Sequence, residues 1–357
     1  MQTNRQELDL RNMIESYQNK KALLIGNGVN LLDSEQSFSW GALLQSLKTV
    51  YGINVDLDNV FKPFPLAFDE MQHLKSGEND LKSKLKNLKQ RIRSEIENQL
   101  LGKRGFNDYH QKLASLDYDD ILTTNYDYSL QKSLYPDFLT IKNKTAQNKQ
   151  EQKYSLKRCY KLQEFKPLFW HIHGELFDSR SYSNSSSNYP EESIMIGYEH
   201  YASYLEKIQE NVKGKSGTQK TDNQSLMVRL RDRKSSPFWT DIFFTHNVDI
   251  VGLGFDFSEN HLWWLVNYRA NAIREQKPKY EVILNNRIRF FYPQINGSEQ
   301  MNINEINNLD KLIEKKNNLK KTKAIAEVLK AFKVEPMAII CNSYTDFYDK
   351  LTNEYLK

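Results

Sequence analysis

The residues best equipped for chemistry fall into four short clusters: GNGVN at 26–30, TTNYD at 123–127, HIHG at 171–174 and GLGFDF at 252–257. Asn125 carries an amide, with donors and an acceptor on one side chain, so it can hold a ribose hydroxyl and a water together. Asp127 suits the cap of the following stretch YDYSLQKSL, with a ribose contact as a second use. His173, beside Gly174, belongs to the one residue type that titrates near neutral pH, which fits general-base work. His171 and His173 are taken to point to opposite sides, so that only His173 meets a pocket and His171 is a buried, hydrogen-bonded core residue. Gly26 and Gly28 would let the backbone approach a pyrophosphate closely. Gly252 and Gly254 would do the same for the adenosine half of a dinucleotide. An ordinary tight turn accounts for either glycine pair equally well.

Several chemistries are disfavoured. A hydride-transfer nucleotide loop wants a third glycine where Leu31 stands, and an acid at a strand end about 20 residues on, which is not evident. The chain has 2 cysteines, Cys159 and Cys341, so neither a disulfide framework nor a four-cysteine zinc module can be built. No further His or Cys lies at ligand spacing from His173, and no metal is expected. His73, His110, His200, His246 and His261 are read as structural or surface residues. Trp263 and Trp264 are read as helix packing.

The elements that must hold these clusters follow from hydropathy. Lys21–Ile25, Tyr118–Thr123, Phe169–His173 and Val248–Val251 are short apolar runs of the kind buried on both faces of a parallel sheet. Further strands are predicted at 137–142, Tyr280–Leu284 and Met337–Cys341. Helices are predicted at 5–18, 40–50, 66–76 and 79–101, from Tyr198, after residue 260 and at Tyr344–Leu356. Strands alternating with helices indicate an α/β fold, a Rossmann-like and mainly parallel sheet flanked by helices. One domain spanning 1–357 is expected, with a helical insertion at 60–115. The polar stretches 143–157, 179–190 and 211–236 read as loops, the last with a helix start. All four clusters fall at predicted strand ends, where such sheets bind ligands.

Bulk composition narrows the field. The 50 basic and 45 acidic residues leave a net charge of +5, interleaved through most of the chain, which does not indicate nucleic acid. No run approaches 18 apolar residues, and the N-terminal stretch lacks an apolar signal segment, so no membrane span and a cytoplasmic location are expected.

In type and order the four clusters resemble the sirtuin family, and most of all the bacterial sirtuin-like domains of anti-phage defence proteins. Gly26 and Gly28 match the Gly-Ala-Gly loop of that family. Thr123, Asn125 and Asp127 match its Thr-Gln-Asn-x-Asp motif, with Thr124 in place of Gln. His173 and Gly174 match its His-Gly motif, and Gly252 begins the later glycine-containing strand end. The matched span runs from 21 to 260. Two departures stand out: the zinc module of sirtuin deacylases is absent, and Asn27 and Asn30 replace Ala and Ser. Both weaken a deacylase reading and agree with the defence-type relatives, which hydrolyse NAD. The resemblance implies an NAD glycohydrolase yielding ADP-ribose and nicotinamide. Asn125 and His173 would be catalytic, and Gly26, Asn27, Gly28, Asn30, Asp127, Gly252 and Gly254 would line the dinucleotide. It further implies a homo-oligomer, with a HerA-type ATPase as a partner in some relatives. The alternatives are a zinc-free deacylase or ADP-ribosyltransferase, a non-catalytic sensor of NAD or ADP-ribose, and a scaffold.

Overall fold

A computed structural model describes residues 20–32, 40–57, 62–75, 106–138, 155–157, 159–161, 167–175, 195–214, 224–232, 238–275, 284–295 and 309–356. The helices predicted at 5–18 and 79–101, and the loop 179–190, lie outside the described residues.

Seven strands form one sheet: β1 (Lys21–Ile25), β2 (Asp120–Thr123), β3 (Cys159–Lys161), β4 (Leu168–His171), β5 (Asn247–Val251), β6 (Ile288–Ile295) and β7 (Glu335–Cys341). Their order across the sheet is β3-β4-β2-β1-β5-β6-β7. Every pairing is parallel except β3 with β4. The chain is therefore an α/β protein with a mainly parallel sheet flanked by helices. Cys159 and Cys341 sit on the two outermost strands, six strand spacings apart and so separated by roughly 29 Å of sheet.

The central strands are apolar because both of their faces are covered. Alternation of period two splits them cleanly. Ala22, Leu24, Leu122, Trp170, Val248 and Ile250 share one core. Leu23, Ile25, Ile121, Phe169 and Val251 share the other. Both sets are almost wholly excluded from water. Each of the larger of these side chains, from Val upward, contributes roughly 1.5–3 kcal/mol on burial.

The first core is closed by α5 (Tyr198–Lys213), α7 (Trp239–Thr245) and α8 (Asn260–Glu275), together with α9 (Leu309–Ala331). The second is closed by α3 (Asp108–Ala114) and α10 (Tyr344–Lys350). A smaller cluster joins α1 (Trp40–Tyr51) and α2 (Phe64–Lys75) to Tyr126 and Ile196. Two short helices complete the set, α4 (Ser129–Leu134) and α6 (Leu226–Arg231). Where the expected insertion at 60–115 is described, over 62–75 and 106–115, it contains α2 and α3.

Some expectations fail. Residue 137 lies in a turn and residue 138 is helical, so no strand begins there; 139–142 lie outside the described residues. Of the strand predicted at 280–284, only Leu284 is described, and it is not in a strand. The strand in that region is β6, starting at Ile288. The edge strand β3 has no counterpart in the prediction.

The sheet has a switch point. From β1 the chain moves outward through β2 to β4, then crosses back to β5 on the other side of β1 and continues to β6 and β7. At such a switch point a crevice opens beyond the carboxyl ends of the strands.

Candidate active site

The crevice is a cavity of about 720 Å³. Asn27, Gly28, Asn125, Asp127 and His173 all line it, as do Gly252 and Gly254. The aromatic side chains of Phe290, Tyr292, Tyr344 and Phe347 line it too. All four sequence clusters thus meet at one site.

Gly26 and Asn30 do not line the cavity among the described residues, and each has a different task. Beyond the ends of β1 and β5 the two loops stay joined: the Gly26 N–H donates to Val251 O at 2.9 Å and the Gly28 N–H to Gly252 O at 2.8 Å. A Cβ on Gly26 would stand 2.5 Å from Gly252 O, and one on Gly28 would stand 2.9 Å from the same atom. Gly252 itself has φ of +63°, in the left-handed region that favours glycine. Contact between the loops requires glycine at 26 and 28, and a left-handed backbone favours it at 252. At Gly254 the space is open.

Asn30 is a hub. Its Nδ2 donates to Asn27 Oδ1 at 2.8 Å and to Asp127 Oδ2 at 3.1 Å, while its Oδ1 faces His110 Nε2 at 2.7 Å. It ties the β1 loop to the β2 loop from behind. Asp127 also accepts the Ser129 N–H at 2.8 Å through Oδ1 just ahead of α4, but it is not that helix's N-cap, a position Tyr128 holds without a side-chain bond. Of the two readings open for His110 the structural one holds: it is buried in this network, and burial lowers its pKa to about 4.

Asn125 follows directly on β2. Its backbone N–H donates to Thr123 Oγ1 at 3.0 Å and its Nδ2 to Gly26 O at 3.2 Å. The amide plane is therefore anchored on one side, which leaves the acceptor Oδ1 and the second amide hydrogen for the cavity.

The two histidines of HIHG do separate, but not by strand alternation. Residues two apart on a regular strand share a face. They part because β4 ends at His171 and residues 172–173 turn, with Gly174 at φ +96°. His171 is buried, with Nε2 2.6 Å from Gln131 Nε2 and Nδ1 3.2 Å from Asn125 O. His173 lies on the cavity wall, 2% exposed.

His173 has two neighbours that the sequence reading left out. Its Nε2 lies 2.9 Å from Nε2 of His261 and 3.2 Å from Oε2 of Glu259. Both come from the segment just after GLGFDF, where α8 begins at Asn260. His261 is fully buried, and burial followed by the proximity of His173 holds its pKa well below the ordinary value, so it is neutral. The spacing argument about metal ligands looked only along the sequence, whereas the fold brings residues 259 and 261 to His173. The signal available was the run Glu-Asn-His at 259–261, one residue beyond the fourth cluster.

Trp263 and Trp264 pack as expected. The Trp263 ring stacks on Phe257 and its Nε1 donates to Asp256 O at 3.0 Å. The Trp264 ring stacks on Tyr268.

No known family model matches the chain, and no curated protein matches its sequence. Among the described residues, no helix is long and apolar enough to cross a membrane.

Proposed function

We propose that the chain is an NAD glycohydrolase of the sirtuin-like, Rossmann-type class that lacks a zinc module. The observation that carries this reading is the convergence of the anchored Asn125 amide and the His173 imidazole on one cavity at the switch point of a parallel sheet. The cavity's position and volume are those of a small-molecule site, and its lining combines aromatic side chains with the glycine loops, which supports a dinucleotide as the ligand.

The reaction breaks the bond between the nicotinamide nitrogen and the ribose C1′ carbon. The bond electrons go to the ring nitrogen, which turns a cationic pyridinium into neutral nicotinamide and needs no general acid. Water adds to C1′ and loses one proton. Asn125 holds the ribose and that water through Oδ1 and its second amide hydrogen. His173 takes the proton. The imidazolium that forms is balanced by the Glu259 carboxylate at 3.2 Å. Glu259 and the neutral His261 act on His173 rather than on the substrate, which makes them positioning residues. Asn27, Gly28, Asp127, Gly252 and Gly254 lie along the dinucleotide, while Gly26 and Asn30 hold the loops that carry it.

An NAD hydrolase without control would harm its own cell. We place this one in the cytoplasm as a defence effector that depletes NAD, working as a homo-oligomer, with a HerA-type ATPase as the partner to test first. The test of function is direct: purified chain is incubated with NAD, and free nicotinamide and ADP-ribose are followed over time. Deacylation of an acyl-lysine peptide without nicotinamide release in the absence of peptide would point to the deacylase alternative.

A further inference from the structure

His173, Glu259 and His261 present three ligand atoms to one point. Nε2 of His173 and Nε2 of His261 are 2.9 Å apart, and Oε2 of Glu259 stands 3.2 Å from the first and 3.8 Å from the second. A centre equidistant from all three atoms lies about 2.0 Å from each, which is the ligand distance of a first-row divalent cation to imidazole nitrogen and carboxylate oxygen.

Protons satisfy this arrangement poorly. A neutral imidazole carries one N–H and one lone pair. One N–H can lie between the two facing Nε2 atoms. That leaves Glu259 Oε2, which has no hydrogen-bond partner among the described residues, set against nitrogen at 3.2 Å. Burying an anionic oxygen without a donor is costly. One cation at the common centre satisfies both nitrogens and the oxygen together.

The ligands are also held. Both rings are nearly or fully excluded from water, and the Glu259 side chain is 15% exposed. The rings pack edge to face, with centroids 4.8 Å apart, and Tyr201 lies against both. Glu259 and His173 line the cavity, which gives an ion an entry path and leaves outer positions open to water. Two imidazoles and one carboxylate with open positions form a donor set that suits Zn²⁺, and Fe²⁺ after it.

We infer that His173, Glu259 and His261 form a binding site for one divalent transition-metal ion, best matched by Zn²⁺. If His173 is the base of the proposed NAD hydrolysis, which the next step rests on, the ion is an inhibitor. A neutral imidazole has a single lone pair, and the metal takes it. Metal binding and proton abstraction by His173 then exclude each other, and removal of the ion switches the site on.

The probes are Zn²⁺ and Co²⁺ added to the purified, chelator-treated full chain. Isothermal titration should give one Zn²⁺ per chain, and Co²⁺ should give a visible d–d band whose intensity saturates at the same ratio. Glu259→Gln keeps the side-chain shape and should weaken binding at least about tenfold, since loss of a ligand costs no less than loss of an outer-shell partner. His261→Gln should do the same, with circular dichroism used to check its fold because the site is fully buried. Absence of saturable binding at micromolar Zn²⁺, or binding unchanged by Glu259→Gln, overturns the site. In parallel, Zn²⁺ should suppress nicotinamide release from NAD and a chelator should restore it. Binding that depends on Glu259 in a chain that never cleaves NAD supports the metal site and counts against the hydrolase. NAD cleavage by a chain that binds no Zn²⁺ does the reverse.

Discussion

His173 and His261 meet nitrogen to nitrogen at 2.9 Å, although 87 residues separate them in the chain. The contact spans the carboxyl edge of the sheet, since β2 and β1 lie between β4 and β5, and the start of α8 supplies His261. His173 therefore works inside a cluster. A buried histidine lies on one side of it and a carboxylate on the other.

The glycines separate by cause. Gly26→Ala and Gly28→Ala each force a Cβ into the Gly252 backbone and should cost about 1–3 kcal/mol or more, as overpacking does. Gly254→Ala meets open space and should stay within about 0.5 kcal/mol. Urea denaturation of the three variants measures this. Equal stability of Gly26→Ala and Gly254→Ala would show that the loop contact is not what requires glycine.

Much of this was legible in the sequence, but unevenly. β1 is found at the residues predicted, because a short apolar run covered on both faces leaves little choice of boundary. The four clusters were legible as strand ends, and strand ends are where a parallel sheet binds ligands. The partners of His173 were not legible by spacing, since that contact depends on strand order, and no local pattern encodes order. β6 was missed for a related reason: Ile288–Ile295 contains Arg289, Pro293 and Gln294, which break the apolar run that marked the central strands. Gly26 and Gly28 were recognised as special while their cause stayed open, because a tight turn and a phosphate loop make the same demand on residue type.

His110 sets an acid limit on stability. Burial lowers its pKa to about 4, below the ordinary 6.5. As pH falls, the unfolded chain binds this proton first. Stability should therefore decline between about pH 6.5 and 4 and level off below, by up to about 1.4 kcal/mol per unit from this group. His110→Gln keeps a side-chain amide that can donate to Asn30 and removes the titration. Urea midpoints at pH 7.5 and 5.0 should differ less in this variant than in the parent, and an unchanged difference would remove His110 as the cause.

His171→Ala should lose stability more than chemistry. The ring is buried and bonded to Gln131 and to the Asn125 carbonyl. Its removal should cost about 2–4 kcal/mol, combining a cavity with unsatisfied partners. NAD turnover per folded molecule should fall far less than in Asn125→Ala. A stable His171→Ala protein devoid of turnover would move the catalytic role from one histidine to the other.

Control by assembly has its own signature. Turnover per chain should rise with protein concentration as light scattering reports the homo-oligomer. A strictly monomeric protein with full, constant activity would contradict it.

Asn125 and His173 are expected to carry NAD cleavage in the cavity beyond β1 and β5. The measurement is nicotinamide release from NAD by chelator-treated parent, Asn125→Ala and His173→Ala proteins, with melting temperatures recorded on the same samples. The parent should release nicotinamide and ADP-ribose in equal amounts. Both variants should fold and release nicotinamide at least about 100-fold more slowly, the scale of general-base and positioning losses. Near-parent turnover in a folded His173→Ala protein would contradict the account.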